Sequence, residues 1–184
     1  MQLDKEVFLY LNGLGSPEWD VLWQFISHKL TWVSLYLFLL VLCLWKLGAK
    51  KTLLAVVMVA LLITVSDQMS NLFKTGIGRL RPCHDADLMD GMRLAKSRCG
   101  GRFGFFSAHA SNSFALALFF GTLLRPYFRA LLGFLVIWAA VVAYSRIYLG
   151  VHFPLDILMG ALMGSLLGWL FSKLTIFARR KFHL

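Results

Sequence analysis

Five apolar runs, at residues 30–46, 52–73, 103–124, 128–148 and 154–174, are separated along the chain by three short stretches and one long polar segment, 74–102. A bilayer core of about 30 Å requires roughly 20 apolar residues in helical conformation, so each run predicts a transmembrane helix. The first run is the shortest, and a tilted helix would extend it backward through Trp19, Trp23 and Phe25, across His28 and Lys29. Ahead of it, residues 3–11 predict a helix of about 14 Å, too short to cross. With Trp19, Trp23 and Trp32 at headgroup depth, this segment is expected to lie in the interface, and Gly13, Gly15 and Pro17 break it from the first span. The chain has no internal repeat and no low-complexity tract. The expected architecture is an all-α polytopic membrane helical bundle of about five transmembrane helices plus an N-terminal interfacial helix. It forms one membrane-embedded domain over 1–184, in which 1–29 is the interfacial segment and 74–102 is an extramembrane loop.

Composition removes the soluble alternative: of 184 residues, 59% are hydrophobic and only 15% charged, well above the apolar share of globular domains. The 19 Lys and Arg against 9 Asp and Glu give a formal charge of +10, which in a soluble chain would suggest nucleic acid. Here the basic residues sit between apolar runs, not along one polar face, so the expected partners are bilayer lipids and no nucleic acid. With five spans the chain ends lie on opposite sides. One side carries Lys46, Lys50, Lys51, Arg125, Arg129, Lys173, Arg179, Arg180 and Lys181 with no acidic residue, and the other is nearly balanced. Lys and Arg alone divide almost evenly, but the 74–102 segment has a separate reason to be basic. The uncompensated side is therefore expected in the cytoplasm of a bacterial inner membrane, with the balanced side facing the periplasm. The N-terminus has Asp4 and Glu6 beside Lys5 and lacks the basic start of a cleavable signal, so it is expected to remain.

Three polar stretches on the balanced side sit at the ends of apolar helices. The first is Lys74 followed after six residues by Arg81-Pro82. If the helix continues, Lys74 and Arg81 share a face; taken alone they read as cations for lipid headgroups. The second is Phe105-Phe106-Ser107-Ala108-His109, where Ser107 is a good N-cap and the free N–H groups of the first turn suit an anion. A lone His at a helix start is more often simply a satisfied polar residue. The third runs from Ser145-Arg146 through His152 to Asp156, with Pro154 suited to a first helical turn that brings Asp156 within reach of the His152 ring. A carboxylate on one imidazole nitrogen fixes the tautomer and leaves the other a more basic lone pair. An interfacial salt-bridge network is the plainer reading of that stretch.

In this order and spacing the three stretches resemble the motifs K-x6-R-P, P-S-G-H and S-R-x5-H-x3-D of the type 2 phosphatidic acid phosphatase superfamily, also called the lipid phosphate phosphatase and vanadium haloperoxidase superfamily. Lys74, Arg81 and Pro82 match the first motif, and Ser145, Arg146, His152 and Asp156 the third. The second departs from the pattern, with Phe106 for Pro and Ala108 for Gly, while Ser107 and His109 keep their places. The likeness is to the short bacterial membrane members, with Cys83-His84 after the Arg-Pro pair and Cys99 before the second motif. It implies a membrane lipid-phosphate phosphatase working through a phosphohistidine. Lys74, Arg81 and Arg146 would neutralise phosphate oxygens, with Ser107 and the Ala108 backbone N–H completing the cradle. His152 would attack phosphorus, Asp156 would orient it, and His109 would protonate the leaving oxygen and then activate water. The protein supplies every positive charge, so neither a metal nor another cofactor is expected.

The rival from another class is a non-catalytic anionic-lipid binding or transport protein, which would need cations but not a nucleophile with an orienting acid. Among substrates the small chain favours undecaprenyl diphosphate, with phosphatidylglycerol phosphate, phosphatidic acid and lipid A phosphates as alternatives. Gly160, Gly164 and Gly168, four apart, are expected to pack within the chain, which favours a monomer. Cys83 and Cys99 bracket the polar loop and form a possible disulfide, which would be worth roughly 3 kcal/mol in the chain-entropy account, whereas Cys43 lies inside a span.

Overall fold

A computed structural model describes residues 2–182, which form seven α-helices and short 3-10 turns. Helix α1 spans Gln2–Gly13 and α2 spans Asp20–Ser27. Helix α3 (Val33–Leu47) is followed at once by α4 (Ala49–Ile77), because Gly48 at φ +79° turns the chain in a conformation that L side chains avoid. Helices α5 (Ala108–Leu123), α6 (Leu131–Tyr148) and α7 (Pro154–Lys181) complete the bundle.

Four stretches, Lys29–Leu47, Ala49–Ile77, Leu131–Tyr148 and Pro154–Lys181, are long and apolar enough to cross a membrane. Their outward side chains, among them Phe38, Leu53, Ile137, Leu158 and Phe177, are more than half exposed and form the lipid-facing surface. The expected span at 103–124 differs. Its helix begins only at Ala108, capped by Ser107, and its 16 residues reach about 24 Å. None of them is exposed, so α5 is the inner helix of the bundle, enclosed by α4, α6 and α7. The backward extension of the first span also fails, because His28 adopts an extended conformation (ψ 130°) that ends α2 and redirects the chain.

Small residues let α5 and α7 approach closely. They run parallel, with Gly160 against Ser107, Gly164 against Ser111 and Gly168 against Ala115, so the glycine ladder packs on a helix of its own chain. A Cβ at Gly160 would lie 2.6 Å from the Ser107 carbonyl oxygen.

The N-terminal segment is more than an interfacial strip. Phe8 and Asn12 of α1 are fully buried. The Asn12 amide donates to the carbonyls of Arg93, Ile147 and Tyr148, each at 3.0 Å, and its oxygen accepts from Arg93 N–H at 2.7 Å. Trp23 packs on Tyr144 and Tyr148, and Trp32 on Trp138, while Trp19 stays exposed. Helix α1 thus closes the end of the bundle where α7 begins. The loop between α4 and α5 is held to α1 by Lys5 on Asp85 and Asp87 and to α2 by Arg93 on Asp20, and it is closed on itself by the disulfide Cys83–Cys99, whose Cα atoms are 5.9 Å apart. Cys43 is a free thiol buried between helices.

Candidate active site

The three polar stretches meet at one end of the bundle because backbone contacts tie their loops together. The Ser107 N–H donates to the Asp156 carbonyl at 3.0 Å, joining the start of α5 to the start of α7. Ser70 of α4 donates to the Phe106 carbonyl at 3.0 Å. The chain after α4 folds back, with Arg81 N–H on the Arg102 carbonyl and Gly104 N–H on the Arg79 carbonyl.

Lys74 and Arg81 do not share a helical face. Helix α4 ends at Ile77, and Gly78 closes it in the left-handed region at φ +64°. Arg81 therefore arrives from the loop, its Nε donating to the Phe103 carbonyl at 3.2 Å and its Nη1 to the Cys99 carbonyl at 3.4 Å. The disulfide at Cys99 thereby steadies a cation of the site. The two charges still converge, because both line the same cavity.

That cavity has a volume of 670 Å³, and Lys74, Arg81, Ala108, His109, Arg146 and His152 face it at one end. Ser107 and Asp156 lie just behind, both fully buried. Arg146, from the last turn of α6, is buried; it donates through Nη1 to Ser27, and its Nε is left without a hydrogen-bond partner among the described residues. A guanidinium donor buried without a partner beside a cavity is suited to an oxyanion. Ser107 caps α5 by accepting from the Ala110 N–H, which leaves its hydroxyl hydrogen free to donate.

His152 is 2% exposed, and its Nδ1 lies 3.3 Å from the Asp156 Oδ2. The same oxygen accepts the Phe153 N–H at 3.0 Å. Burial, followed by the charges of Arg81, Arg146 and Lys74, holds the His152 imidazole well below its ordinary pKa, so the ring is neutral. With Nδ1–H directed at the carboxylate, Nε2 keeps its lone pair. His109, in the first turn of α5, faces the cavity and makes no hydrogen bond to another described residue.

Two features were not identified in the sequence. Arg79, the second basic residue inside the first motif, has a side chain only 8% exposed and pairs with Asp156 Oδ1 at 2.9 Å. It also pairs with Asp4 of α1, whose other oxygen accepts the Leu155 N–H at 2.9 Å, and its guanidinium lies 4.2 Å from the centre of the Phe153 ring. Asp156 is thus held from both sides, by His152 and by a cation anchored on the N-terminal helix. An arginine two residues ahead of the matched Arg-Pro pair was the available signal, but its partner Asp4 is far away in sequence. The second feature is further positive charge: Lys29 lines the cavity, and Lys96 lies close enough that Arg146 and Arg81 depress its pKa, after burial, the larger cause. No group of three or more His, Cys, Asp or Glu side chains is placed to hold a metal among the described residues.

The PAP2 superfamily profile matches residues 50–180. The chain is 40% identical over 171 residues to a lipid A 4'-phosphatase of Bacteroides thetaiotaomicron, covering 92% of this chain and 75% of that one. It is 35% identical over 184 residues to a lipid A 4'-phosphatase of Porphyromonas gingivalis, covering 98% and 76%. A third relative, YbjG of Escherichia coli, provisionally named for undecaprenyl diphosphate hydrolysis, is 32% identical over 164 residues, covering 87% and 76%. Among solved structures the fold is similar to that of Aquifex aeolicus LpxE, with a TM-score of 0.68 and 26% identity over 91% of this chain and 93% of the other.

Proposed function

The chain belongs to the PAP2 superfamily as a multi-pass membrane lipid phosphatase, and from that premise we propose that it removes the 4'-phosphate of lipid A. The observation that carries this reading is the 40% and 35% identity, across nearly the whole chain, to two lipid A 4'-phosphatases. That relationship favours lipid A over undecaprenyl diphosphate, the expectation from size alone. The relative named for the latter, at 32%, keeps it as a second reading.

In the mechanism, Arg81, Arg146, Lys74 and the Ser107 hydroxyl hold the phosphate oxygens, with the N–H groups at the start of α5 directed at the same charge. The neutral His152 Nε2 attacks phosphorus in line as the bond to the sugar oxygen breaks. His109 gives its proton to that leaving oxygen. The N–P bond places positive charge on the imidazole, which Asp156 offsets, and Arg79 and Asp4 hold Asp156 in position. Water then attacks the phosphohistidine while His109 takes its proton, releasing inorganic phosphate and restoring His152. The array supplies its own cations, so no step requires a metal.

Phosphate release from purified protein on lipid A, undecaprenyl diphosphate, phosphatidylglycerol phosphate and phosphatidic acid tests the assignment, with mass spectrometry locating the phosphate lost. Lipid A is expected to be turned over fastest and to lose its 4'-phosphate. Preferential turnover of undecaprenyl diphosphate would overturn the lipid A reading in favour of the second.

The active site is proposed to face the periplasm of the inner membrane. The Cys83–Cys99 bond suits an oxidising compartment, and the cationic ends of α3 and α7, at Lys46 and at Arg179 to Lys181, suit the cytoplasm. When native membranes are denatured and alkylated without reductant, Cys43 alone is expected to react. Full labelling of Cys83 and Cys99 would refute this orientation argument.

A further inference from the structure

Beneath the cations the cavity continues as a groove between α3, α4, α5 and α6, walled by side chains such as Leu40, Val56, Val59, Ile63 and Leu116. Such a wall suits a hydrocarbon chain. Into it projects one carboxylate, that of Asp67, the only acidic side chain among the described residues lining the cavity. Asp67 precedes Lys74 by seven residues on α4, about 10 Å deeper along the helix at 1.5 Å per residue. An ionisable group at that depth is costly and commonly marks a pathway or a ligand contact.

Its surroundings are ordered. Asp67 Oδ1 accepts from Asn112 Nδ2 at 2.9 Å, Asn112 Oδ1 accepts from the Ser66 hydroxyl at 2.6 Å, and Ser66 shares a hydrogen bond of 2.8 Å with Ser111. This network satisfies the amide oxygen of Asn112 and fixes the carboxylate against α5. The second carboxylate oxygen, Oδ2, has no hydrogen-bond donor among the described residues, and Asp67 makes no ion pair with Lys74. The groove thus presents a hydrogen-bond acceptor about two helical turns below the phosphate-binding end.

We propose that Asp67, presented by Asn112, is a specificity subsite that accepts a hydrogen bond from a donor carried on the lipid's acyl region, an amide N–H or a chain hydroxyl. This rests on the lipid A reading and deepens it. An acylated amino sugar phosphate carries amide N–H groups close below its phosphate and hydroxyls on its acyl chains. A prenyl diphosphate offers only hydrocarbon at that depth and would leave Oδ2 without a donor in an apolar groove. A site built to pair with a donor discriminates strongly against a ligand that lacks one, because the buried polar group is then left unsatisfied.

The test compares kcat/KM on purified lipid A and on undecaprenyl diphosphate, in the same micelles, for wild type, Asp67→Leu and the near-isosteric Asp67→Asn. The ratio of lipid A to prenyl diphosphate is expected to fall about tenfold or more in Asp67→Leu. It should fall by less in Asp67→Asn, which retains one acceptor oxygen and preserves shape if the leucine variant fails to fold. An equal loss on both substrates in Asp67→Asn, leaving the ratio unchanged, would overturn the subsite and assign Asp67 to helix packing or to the field at Lys74. A wild-type protein inactive on lipid A would instead overturn the substrate reading itself, an outcome visible without any variant.

Discussion

Replacing His152 with alanine is expected to lower phosphate release to less than about a thousandth of the wild-type rate while leaving the helical content unchanged. The imidazole is 2% exposed, neutral, and held by Asp156 at 3.3 Å. Among the described residues that line the cation end of the cavity, no other offers a comparable nucleophile oriented by a carboxylate. The supporting residues should rank below it. Asp156→Asn keeps the shape of the carboxylate but loses the charge that offsets the phosphohistidine, and should cost less than loss of His152. Arg79→Met should cost about tenfold, mainly in kcat, because the arginine touches Asp156 and not the phosphate. Vanadate, a mimic of five-coordinate phosphorus, should inhibit, and EDTA should not. Circular dichroism together with single-turnover phosphate release measures the series. More than about a tenth of wild-type activity in His152→Ala would remove it as the nucleophile, and a dependence on added magnesium after EDTA would refute the metal-free mechanism.

Gly164→Val is expected to destabilise the bundle by about 3 kcal/mol or more and to abolish activity with it. The Cα of Gly164 packs directly on the backbone of Ser111, so any Cβ would enter the space of its carbonyl group. Backbone cannot yield as a flexible side chain can. The displacement would also reach the site: Gly160, one turn earlier, rests on the Ser107 carbonyl, and the Ser107 N–H is bonded to Asp156. Thermal unfolding in detergent, followed by tryptophan fluorescence, should show a large fall in midpoint. By contrast Gly133, where an added Cβ would meet nothing within 4 Å, should accept alanine with little change in stability. A Gly164→Val protein as stable as wild type would mean that α5 and α7 do not pack as closely as described.

The sequence alone determined what local physics encodes. Runs of apolar residues long enough for a bilayer marked the helices and the membrane class, since hydrophobic length is a property of a contiguous segment. The His152–Asp156 contact was legible because a helical first turn at Pro154 fixes its geometry within five residues. Cap chemistry marked the start of α5 at Ser107, and the joint spacing of the three motifs carried the family. Contacts that span many residues were not legible. The shared helical face foreseen for Lys74 and Arg81 gave way to a glycine-capped end at Gly78, and their convergence came instead from a loop that folds back through Arg102 and Gly104. The same holds for Arg79, whose partners Asp4 and Asp156 lie 75 and 77 residues away in sequence. It also holds for Asn12, whose one amide joins α1 to the end of α6. Even α5 read as a span like the others, because an apolar run carries no sign of whether lipid or protein surrounds it. Only the packing of three neighbouring helices around α5 decided that, and in doing so it brought Ser107, His109, Asp156 and the cations to one end of a single cavity.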